Sequence, residues 1–403
     1  MIMFNGFARG ISMAKLRVAF TLIGGKSWAG GYNYLLNLFR ALDDYMAQSI
    51  EPIIFFGDDF DVDEISPFLD LSGAKVVKSS VFNRQYASKR LIYALVFGRD
   101  NAVQRVFRDN RIDCIFEAAQ FHGWRSEFPS VAWIPDFQHK CLPGMFGPLA
   151  YWKREIGFRA QIASKRTIML SSEDSKAVCE ELYRPAAGRI YTVPFAVPIP
   201  SNIDAAMARS TADKYGLPKR YYILPNQFWL HKNHMLVIDA LASLKQKGNM
   251  DIVVAATGLT VDFRHPKYFS ILQAKIAECS LESQFRILGK IPYADLIQLV
   301  FASEALINPS LFEGWSTTVE EAKALGVPMI LSDIDVHFEQ TCGDARYFKR
   351  HSESALVAAL IDPPKRKISG IEQLTSINEQ RRAIFADKIV KTIRYAIQSK
   401  DHL

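Results

Sequence analysis

The stretch from Asn308 to Ser332, NPSLFEGWSTTVEEAKALGVPMILS, decides the fold class. A strand-like run ends at its start, a loop presents Glu313, a helix is predicted from Thr317 or Thr318, and a second strand begins near Met329. This succession of strand, loop, helix and strand is the repeating unit of parallel α/β sheets. The segment therefore predicts an α/β protein.

The same alternation continues in both directions along the chain. Strands are predicted at 16–22, 52–56, 114–118, 130–134, 167–170, 190–193, 221–224, 251–256, 285–288, 305–307 and 329–331. Because the pattern restarts after residue 220, we expect two Rossmann-like domains that face each other across a cleft.

The stretch Val193–Ser201 contains three prolines, which forbid a helix and disfavour a central strand, so it is predicted to be the linker. We expect domains at 1–198 and 199–380, followed at 381–403 by the end of a helix that packs back on the first domain. Residues 1–12 are interpreted as an extension with no assigned role.

Composition limits the class of protein. A chain of 403 residues that is 49% apolar and 23% charged is typical of a globular protein, which excludes disorder and collagen. The five cysteines form no close pair, so neither a disulfide framework nor a zinc cluster is predicted, and a reducing cytosol is expected. No apolar run approaches the ~18 residues of a membrane span. The net charge of +7 favours anionic partners.

Two carboxylates flank the predicted helix start in the deciding segment. Seven residues separate Glu313 from Glu321, and the backbone amides of 314–317 lie at the unpaired start of the helix, which is a natural anion site. Carboxylates accept hydrogen bonds from sugar hydroxyls. The alternative is that Glu313 is a solvated loop residue and that Glu320 and Glu321 are ordinary helix N-terminal charges.

A glycine-rich loop, Gly24–Gly31, follows the first predicted strand. Glycines there let backbone N–H groups approach a phosphate at the start of the helix predicted near Tyr32. The loop is neither a Walker A motif nor the dinucleotide fingerprint, because Lys26 lies too early and the glycine spacing differs. The alternative is a tight turn.

The segments PSLFEGWS at 309–316 and EAKALGVPMI at 321–330 resemble the Glu-x7-Glu signature of retaining GT-B glycosyltransferases of family 4, the glycosyl transferases group 1. The resemblance implies a GT-B fold with an amino-terminal acceptor-binding domain and a carboxy-terminal nucleotide-sugar-binding domain. It also implies that Glu313 contacts the transferred sugar and that Glu321 holds the ribose of the donor.

Other segments resemble the same family in order and spacing. The pair Gly30-Gly31 is similar to its amino-terminal glycines, Ser171–Ser175 to its serine-rich turn, and FRILGKI at 285–291 to the loop whose backbone near Ile291 holds the base. The donor-binding residues that the resemblance implies are Gly30, Gly31, Asn226, Gln227, Lys232, Ile291, Glu313, Gly314, Trp315, Ser316, Thr317 and Glu321.

The segment LPNQFWLHKNH at 224–234 departs from the family in one place. Lys232 matches a lysine that clamps the donor diphosphate, but Gln227 stands where an arginine is usual, which leaves open what supplies the second cation. His231 and His234 could instead indicate a metal, but two histidines without a carboxylate or cysteine cluster are a weak signal. Helix capping by Asn233 is the simpler interpretation of its position.

The segment WIPDFQH at 133–139 ends a strand and enters a loop. The resembling enzymes often carry a histidine here that points at the transferred sugar; Pro135 replaces it, Asp136 keeps an acidic position, and His139 follows. Asp136, His139, Glu313 and Lys232 are the candidate catalytic residues. The alternative for Asp136 and His139 is a structural loop network.

Two stretches are basic and aromatic, at 84–111 and 145–166. Without a recognition motif they do not predict nucleic-acid binding, and a surface for anionic lipid or a lipid-diphosphate acceptor fits the resemblance better. A solvated basic helix face is the alternative.

The leading hypothesis is a metal-independent retaining glycosyltransferase that needs no cofactor. It would move a hexose of the mannose or rhamnose type from a nucleotide diphosphate sugar, with GDP favoured, to a saccharide or lipid-linked saccharide in bacterial cell-surface polysaccharide synthesis. We expect it in the cytoplasm, peripheral to the membrane. A nucleotide-sugar epimerase of similar architecture and a non-catalytic nucleotide-sugar-binding module are the alternatives.

Overall fold

The structure is a computed structural model that describes residues 14–22, 29–164, 166–184, 188–368 and 370–400. Residues 1–12 and most of the glycine-rich loop, Gly24–Trp28, lie outside the described residues, as does Lys165 of the second basic stretch.

The strands of the described residues are β1 Leu16–Thr21, β2 Ile50–Phe56, β3 Lys75–Lys78, β4 Cys114–Ala118, β5 Ser130–Trp133, β6 Thr167–Leu170, β7 Ile190–Thr192, β8 Tyr222–Leu224, β9 Val254–Thr257, β10 Phe285–Gly289, β11 Leu306–Asn308, β12 Met329–Ser332 and β13 Arg346–Phe348. The helices are α1 Ala29–Met46, α2 Val62–Leu69, α3 Ala87–Val96, α4 Asn101–Asp109, α5 Gln138–Cys141, α6 Pro148–Ala163, α7 Glu173–Tyr183, α8 Ala205–Lys214, α9 His234–Gln246, α10 Tyr268–Glu278, α11 Tyr293–Ala302, α12 Thr317–Ala324, α13 Asp335–Thr341, α14 Glu353–Ile361 and α15 Ile371–Lys400.

The strands form two sheets with the same type of strand order. The first runs β3-β2-β1-β4-β5-β6-β7 and the second runs β10-β9-β8-β11-β12-β13. The pairings of the second sheet are parallel, with Leu306 opposite Ile223 and Met329 opposite Leu306. In each sheet the order reverses beside the first strand, and open parallel sheets bind ligands at such a switch point, beyond the carboxyl ends of the strands. The α/β class and the two-sheet architecture are confirmed.

Helices cover both faces of the second sheet. Successive strand residues point to opposite faces, so Ile223 packs with Ala212, Ile297 and Val319 of one helical layer, whereas Leu224 packs with the opposite layer. Strands buried on both faces need apolar side chains at consecutive positions, which explains why the sequence marks these strands as apolar runs.

Two strands were not predicted from the sequence. Strands β3 and β13 are edge strands of their sheets, and their outer residues Lys75, Lys78 and Arg346 are exposed. An edge strand pairs on one side only and buries little, so its sequence lacks the apolar run that marks a central strand.

The chain divides into two compact units, one made of residues 1–132 with 386–403 and the other of residues 133–385. The predicted boundaries at 198 and 380 stay predictions. The predicted linker carries no helix or strand between β7 and α8, and the Asn378 side chain donates to the Val197 carbonyl at 2.7 Å. The sequence pattern predicts a last helix at about Asn378–Ser399. Helix α15 begins seven residues earlier, at Ile371, and Ile371, Leu374 and Ile377 are the apolar residues of its first turns.

Candidate active site

The carboxyl ends of β8 and β11 meet at the switch point of the second sheet. Asn226 follows β8 and Asn308 ends β11, and the Asn226 amide donates to the Asn308 side-chain oxygen at 3.2 Å. The Asn308 amide in turn donates to the Ser316 hydroxyl at 3.0 Å. Asn226 and Asn308 are buried and these bonds satisfy their polar groups. The two amides therefore fix the loops that carry the predicted donor-binding residues.

Glu313 and Lys232 form an ion pair above these strand ends. The Lys232 ammonium lies 2.5 Å from a Glu313 carboxylate oxygen, and the Ser310 hydroxyl donates to the same oxygen at 2.7 Å. Only 14% of the lysine side chain and 9% of the glutamate side chain are exposed. Two residues that lie 81 positions apart in the sequence are thus brought into one polar site by the strand order.

The pKa of Glu313 reflects competing effects. Burial alone would raise the pKa of the carboxyl, but Lys232 and the Ser310 hydroxyl hold it below its ordinary value. The carboxylate is therefore ionised at neutral pH and able to accept hydrogen bonds from hydroxyl groups.

Sequence analysis missed His337 of α13, which belongs to the same electrostatic group. The ring is fully buried, its Nδ1 lies 2.9 Å from the Ser332 carbonyl oxygen, and Nε2 is buried without a hydrogen-bond partner. Burial lowers the pKa of His337 to about 4 although Glu313 opposes the shift, so the imidazole is neutral at pH 7. The sequence shows only that a histidine lies in the helix after β12, which does not indicate that the ring approaches Glu313.

Helix α12 begins at Thr317, four residues after Glu313. The Ser316 N–H donates to the Gln340 side-chain oxygen at 3.2 Å, and the Gln340 amide returns a bond to the Ser316 carbonyl at 2.7 Å, which fixes the start of the helix at Thr317. A Cβ on Gly314 would lie 2.3 Å from the Pro135 carbonyl oxygen, so only glycine allows this close approach. Trp315, between Gly314 and Ser316, is half-buried.

The two adjacent glutamates of α12 have different surroundings. Glu320 is fully buried and accepts hydrogen bonds from Arg381 and from the Gln340 amide. Glu321 is 5% exposed, and burial raises the pKa of its carboxyl to about 7 although a hydrogen bond with Tyr293 opposes the shift. Glu320 thus has the partners of a structural ion pair, whereas at Glu321 burial outweighs the Tyr293 hydrogen bond, and the carboxyl could accept further hydrogen bonds from a ligand's hydroxyl groups.

Gly258 packs closely against the backbone of the segment that contains Gln227. A Cβ on Gly258 would meet the Asn226 carbonyl oxygen at 2.6 Å and the Gln227 Cα at 2.8 Å. A cation does lie beside this segment: the Arg264 guanidinium is 5.1 Å from the Trp229 ring centroid and is paired with Asp262 at 3.2 Å.

Ile291 follows β10 and is half-buried among the apolar residues of one face of the second sheet. Its position beyond a strand end is the one expected for a backbone contact to a ligand.

Asp136 and His139 are both held by neighbouring side chains. Asp136 accepts from the Arg154 guanidinium at 2.7 Å and from the Gln138 N–H at 2.9 Å. His139 has no exposed surface, and its Nε2 lies 3.0 Å from Glu155, which also accepts from the Tyr183 hydroxyl. Burial lowers the pKa of His139 despite this carboxylate.

This placement corrects the expectation that His139 contacts sugar, because a fully enclosed ring cannot reach a substrate. His139 instead belongs to a structural network, which was the alternative given above. The Asp136 side chain is 25% exposed and lies next to Gly314, so a substrate could still reach it.

His231 and His234 are both buried. His234 stacks on Phe228 with ring centroids 4.5 Å apart, and burial lowers its pKa to about 3. Within the described ranges, no group of three or more histidine, cysteine, aspartate or glutamate side chains is arranged to hold a metal. Asn233 has φ of 56° and precedes α9, but its side chain bonds to the Pro309 and Arg350 carbonyls instead of capping the helix.

In the other unit, α1 begins at Ala29, three residues before the predicted start near Tyr32, so Gly30 and Gly31 lie in its first turn. Gly30 has open space around its Cα, since an added Cβ would meet nothing within 4 Å.

Two parallel α/β sheets, each with a switch point beside its first strand, give the chain a GT-B fold, which it shares with the solved structures below. Residues 212–363 match the family model of the glycosyl transferases group 1. This match covers 152 of the 403 residues, so the similarity to the family is shown for this segment.

One curated relative and several solved structures are similar to this chain. The chain is 27% identical over 156 residues to the O-antigen chain mannosyltransferase RfbU of Salmonella typhimurium, a match that spans 39% of either protein. The fold is similar to Anabaena HepE in complex with UDP and glucose, with a TM-score of 0.67 at 14% identity over 94% of this chain and 100% of that one. It is also similar to WaaG, a glycosyltransferase involved in lipopolysaccharide biosynthesis, with a TM-score of 0.58 at 13% identity over 92% and 95% of the two chains.

Proposed function

We propose that this chain is a retaining glycosyltransferase of family 4 that moves a hexose from a nucleotide diphosphate sugar to a saccharide hydroxyl in bacterial cell-surface polysaccharide synthesis. The observation that carries the proposal is the buried Lys232–Glu313 pair at the start of α12, beside the switch point of the second sheet. A cation and helix N-terminal amides bind phosphate, and the adjacent carboxylate binds sugar hydroxyls.

The leaving group is a nucleoside diphosphate, and its negative charge grows as the glycosidic bond breaks. Lys232 and the amides at the start of α12 would neutralise this charge, as electrostatic preorganisation requires. The departing phosphate would serve as the base for the incoming hydroxyl on the same face of the sugar. No side-chain nucleophile is needed in this scheme.

Arg264 is our candidate for the second cation, which the family resemblance places at Gln227. Burial is the main cause that lowers the pKa of His231 well below its ordinary value, and both Lys232 and Arg264 lower it further. The two cations therefore lie within electrostatic reach of the same imidazole. Asp262 and the Trp229 ring hold the Arg264 guanidinium on this side of the segment.

The donor is proposed to carry GDP and a sugar of the mannose or rhamnose type. The similarity to an O-antigen mannosyltransferase supports the sugar class, and a likeness of the segment 227–234 to bacterial polysaccharide mannosyl- and rhamnosyltransferases supports the base. A thermal-shift panel of GDP, UDP, ADP and TDP tests it, because a ligand at 100 times its Kd stabilises by ~2.7 kcal/mol. The largest shift should come from GDP; a larger shift with another diphosphate contradicts the assignment, and no shift with any of the four contradicts the donor site.

Activity should survive metal chelation. The diphosphate charge would be met by Lys232, Arg264 and helix amides, so no divalent cation is required for the leaving group. We expect equal initial rates of sugar transfer with and without EDTA. Loss of transfer in EDTA that Mg²⁺ or Mn²⁺ restores would overturn this electrostatic account.

We also propose that the protein binds the inner face of the cytoplasmic membrane through α6. Leu149, Trp152 and Ile156 are 85%, 57% and 49% exposed and recur at positions i, i+3 and i+7, so they form one apolar stripe, with the exposed Lys153 and Arg159 beside it. Within the described part of the chain, no helix has the length and hydropathy of a membrane span.

Membrane association should therefore depend on charge and on this stripe. In flotation with liposomes, binding to anionic vesicles should exceed binding to neutral ones and should weaken at high salt, because each Lys or Arg near the surface contributes roughly 1 kcal/mol that salt screens. Leu149→Ser with Trp152→Ser should release the protein. Phe263→Ser, which removes an apolar side chain that is 94% exposed elsewhere, is the matched control. Equal recovery with neutral and anionic vesicles would remove the proposal.

A further inference from the structure

A cavity lies in the first unit, and its lining does not include the carboxylates described above. It has a volume of about 610 Å³ and is formed by the turn after β3, one face of α3 and the start of α4. Its lining residues are Ser80, Val81, Tyr86, Lys89, Arg90, Tyr93, Phe97, Arg99, Asp100, Asn101 and Ala102.

The lining carries an excess of positive charge. Lys89 is exposed, Arg90 is half-buried and donates to the Val81 and Asn83 carbonyls at 2.7 and 2.8 Å, and Arg99 pairs with a carboxylate outside the lining at 3.0 Å. Asp100 is the acidic residue of this lining, and its carboxylate accepts the N–H groups of residues 102 and 103 at the start of α4. The lining thus has three cations and one carboxylate, and that carboxylate already accepts two backbone N–H groups. This excess of positive charge favours an anionic ligand.

Aromatic side chains lie next to the cations. Tyr86, Tyr93 and Phe97 are 43%, 38% and 60% exposed, and the Lys89 ammonium lies 5.7 Å from the Tyr93 ring centroid. The Tyr93 and Phe97 rings are 5.3 Å apart and form one wall. Exposed aromatic rings beside cations can bind a sugar face or an apolar chain that is attached to a phosphate.

The cavity also lies at the ligand-binding edge of its sheet. Strand β3 ends at Lys78, directly before the lining residues Ser80 and Val81, and the Ser79 N–H donates to the carbonyl of Phe56, the last residue of β2. Helix α4 runs from Asn101 back to the amino end of β4, so its first turn belongs to the same carboxyl edge. Ligands of parallel sheets bind at this edge.

We propose that this cavity binds the phosphate- or diphosphate-bearing end of the acceptor, with the group attached to that phosphate packed on the Tyr93–Phe97 wall. The assignment rests on the proposed function, because an acceptor exists only if the chain transfers a sugar. Lys89 and Arg99 would contact the phosphate oxygens, and Arg90, which is anchored on backbone carbonyls, would add a fixed positive charge.

The test is calorimetric titration of the full chain with inorganic pyrophosphate and with farnesyl diphosphate, in the presence of saturating GDP so that the donor site is occupied. Lys89→Gln with Arg99→Gln should weaken both ligands at least tenfold. Arg105→Gln removes an exposed positive charge from α4, outside the lining, and it should bind both ligands like the unaltered protein. Because Lys89 and Arg99 are surface residues, melting temperatures should stay within a few degrees.

Tighter binding of farnesyl diphosphate than of pyrophosphate would support the site and a lipid-linked acceptor. Equal binding would support the phosphate contacts but would overturn the packing of an apolar chain on the Tyr93–Phe97 wall. Unchanged affinity in the double variant, or no binding of either diphosphate, would overturn it. A double variant that loses only its binding to phosphatidylglycerol vesicles would also overturn it, in favour of a membrane surface.

The two proposals fail separately. A chain that binds GDP and transfers sugar but has no diphosphate site in the first unit contradicts this inference alone. A chain that binds diphosphates there but neither binds nor hydrolyses any nucleotide sugar contradicts the proposed function alone.

Discussion

Replacement of Glu313 by glutamine is expected to lower kcat by about 10²-fold or more, which corresponds to a loss of ~3 kcal/mol of transition-state stabilisation. Glu313 is ionised and held by Lys232 and Ser310 at the end of a loop, where it would face the transferred sugar. Positive charge develops on that sugar as the bond to the diphosphate breaks. Interactions that strengthen in the transition state control kcat, whereas uniform binding mainly controls KM.

Glu321→Gln is the matched comparison within the same motif, because it should chiefly raise the donor KM and weaken binding of the free nucleotide. Titration of the nucleoside diphosphate against both variants distinguishes the roles of the two glutamates. Melting temperatures must accompany these measurements, since Glu313→Gln leaves the Lys232 ammonium with a weaker partner. If Glu313→Gln loses nucleotide affinity while Glu321→Gln keeps it, the two roles are reversed; if neither changes anything, both assignments are wrong.

The parts of the site that the sequence predicts are those that follow strands. Lys232 comes after β8 and Glu313 after β11, and a parallel sheet places strand ends on one edge, so apolar runs and strand order are enough to bring the two loops together. The distance between their side chains and the Ser310 contact required the structure.

Three of the residues that were missed or misplaced, His337, Gln340 and His139, lie on helices. His337 and Gln340 approach the site from α13, and the enclosure of His139 depends on Glu155 of α6. Which side of a short helix faces a loop is set by packing between elements that lie far apart in the sequence. Local periodicity contains no information about this packing, and so the alternative given for His139 could not be decided in advance.

Glu321→Gln is expected to stabilise the protein at pH 8 while it weakens nucleotide binding. Burial raises the pKa of the Glu321 carboxyl to about 7 in the folded chain, from an ordinary value of 4.5. The folded state therefore binds a proton more tightly than the unfolded chain, and the stability that the protonated carboxyl contributes is present below pH 4.5 and is lost as the pH rises to about 7. The ionised carboxyl at pH 8 costs about 3 kcal/mol, which glutamine avoids.

Chemical denaturation at pH 5 and pH 8 measures this effect as a difference in the free energy of unfolding. Glu321→Gln should change little at pH 5 and should gain up to about 3 kcal/mol at pH 8. Glu320→Gln is the neighbouring control: it weakens the buried pair with Arg381, so the variant should be less stable than the unaltered protein at both pH values. A Glu321→Gln variant that is destabilised at pH 8 would show that a partner inside the fold compensates the carboxylate.

Nucleotide affinity is expected to depend on pH in the opposite direction to the stability of the fold. In the proposed site, ribose hydroxyls would donate to the ionised Glu321 carboxylate, so nucleotide affinity of the unaltered protein should rise as the pH increases from 5.5 to about 7 and then level off. In Glu321→Gln this rise should disappear, since the amide does not titrate. Retention of the same pH profile in the variant would assign the titration to another group and would remove Glu321 from the ribose site. A buried carboxyl whose ionised form destabilises the empty fold and is stabilised further by a ligand is the physical signature expected of a binding residue, and these two measurements test both parts of it.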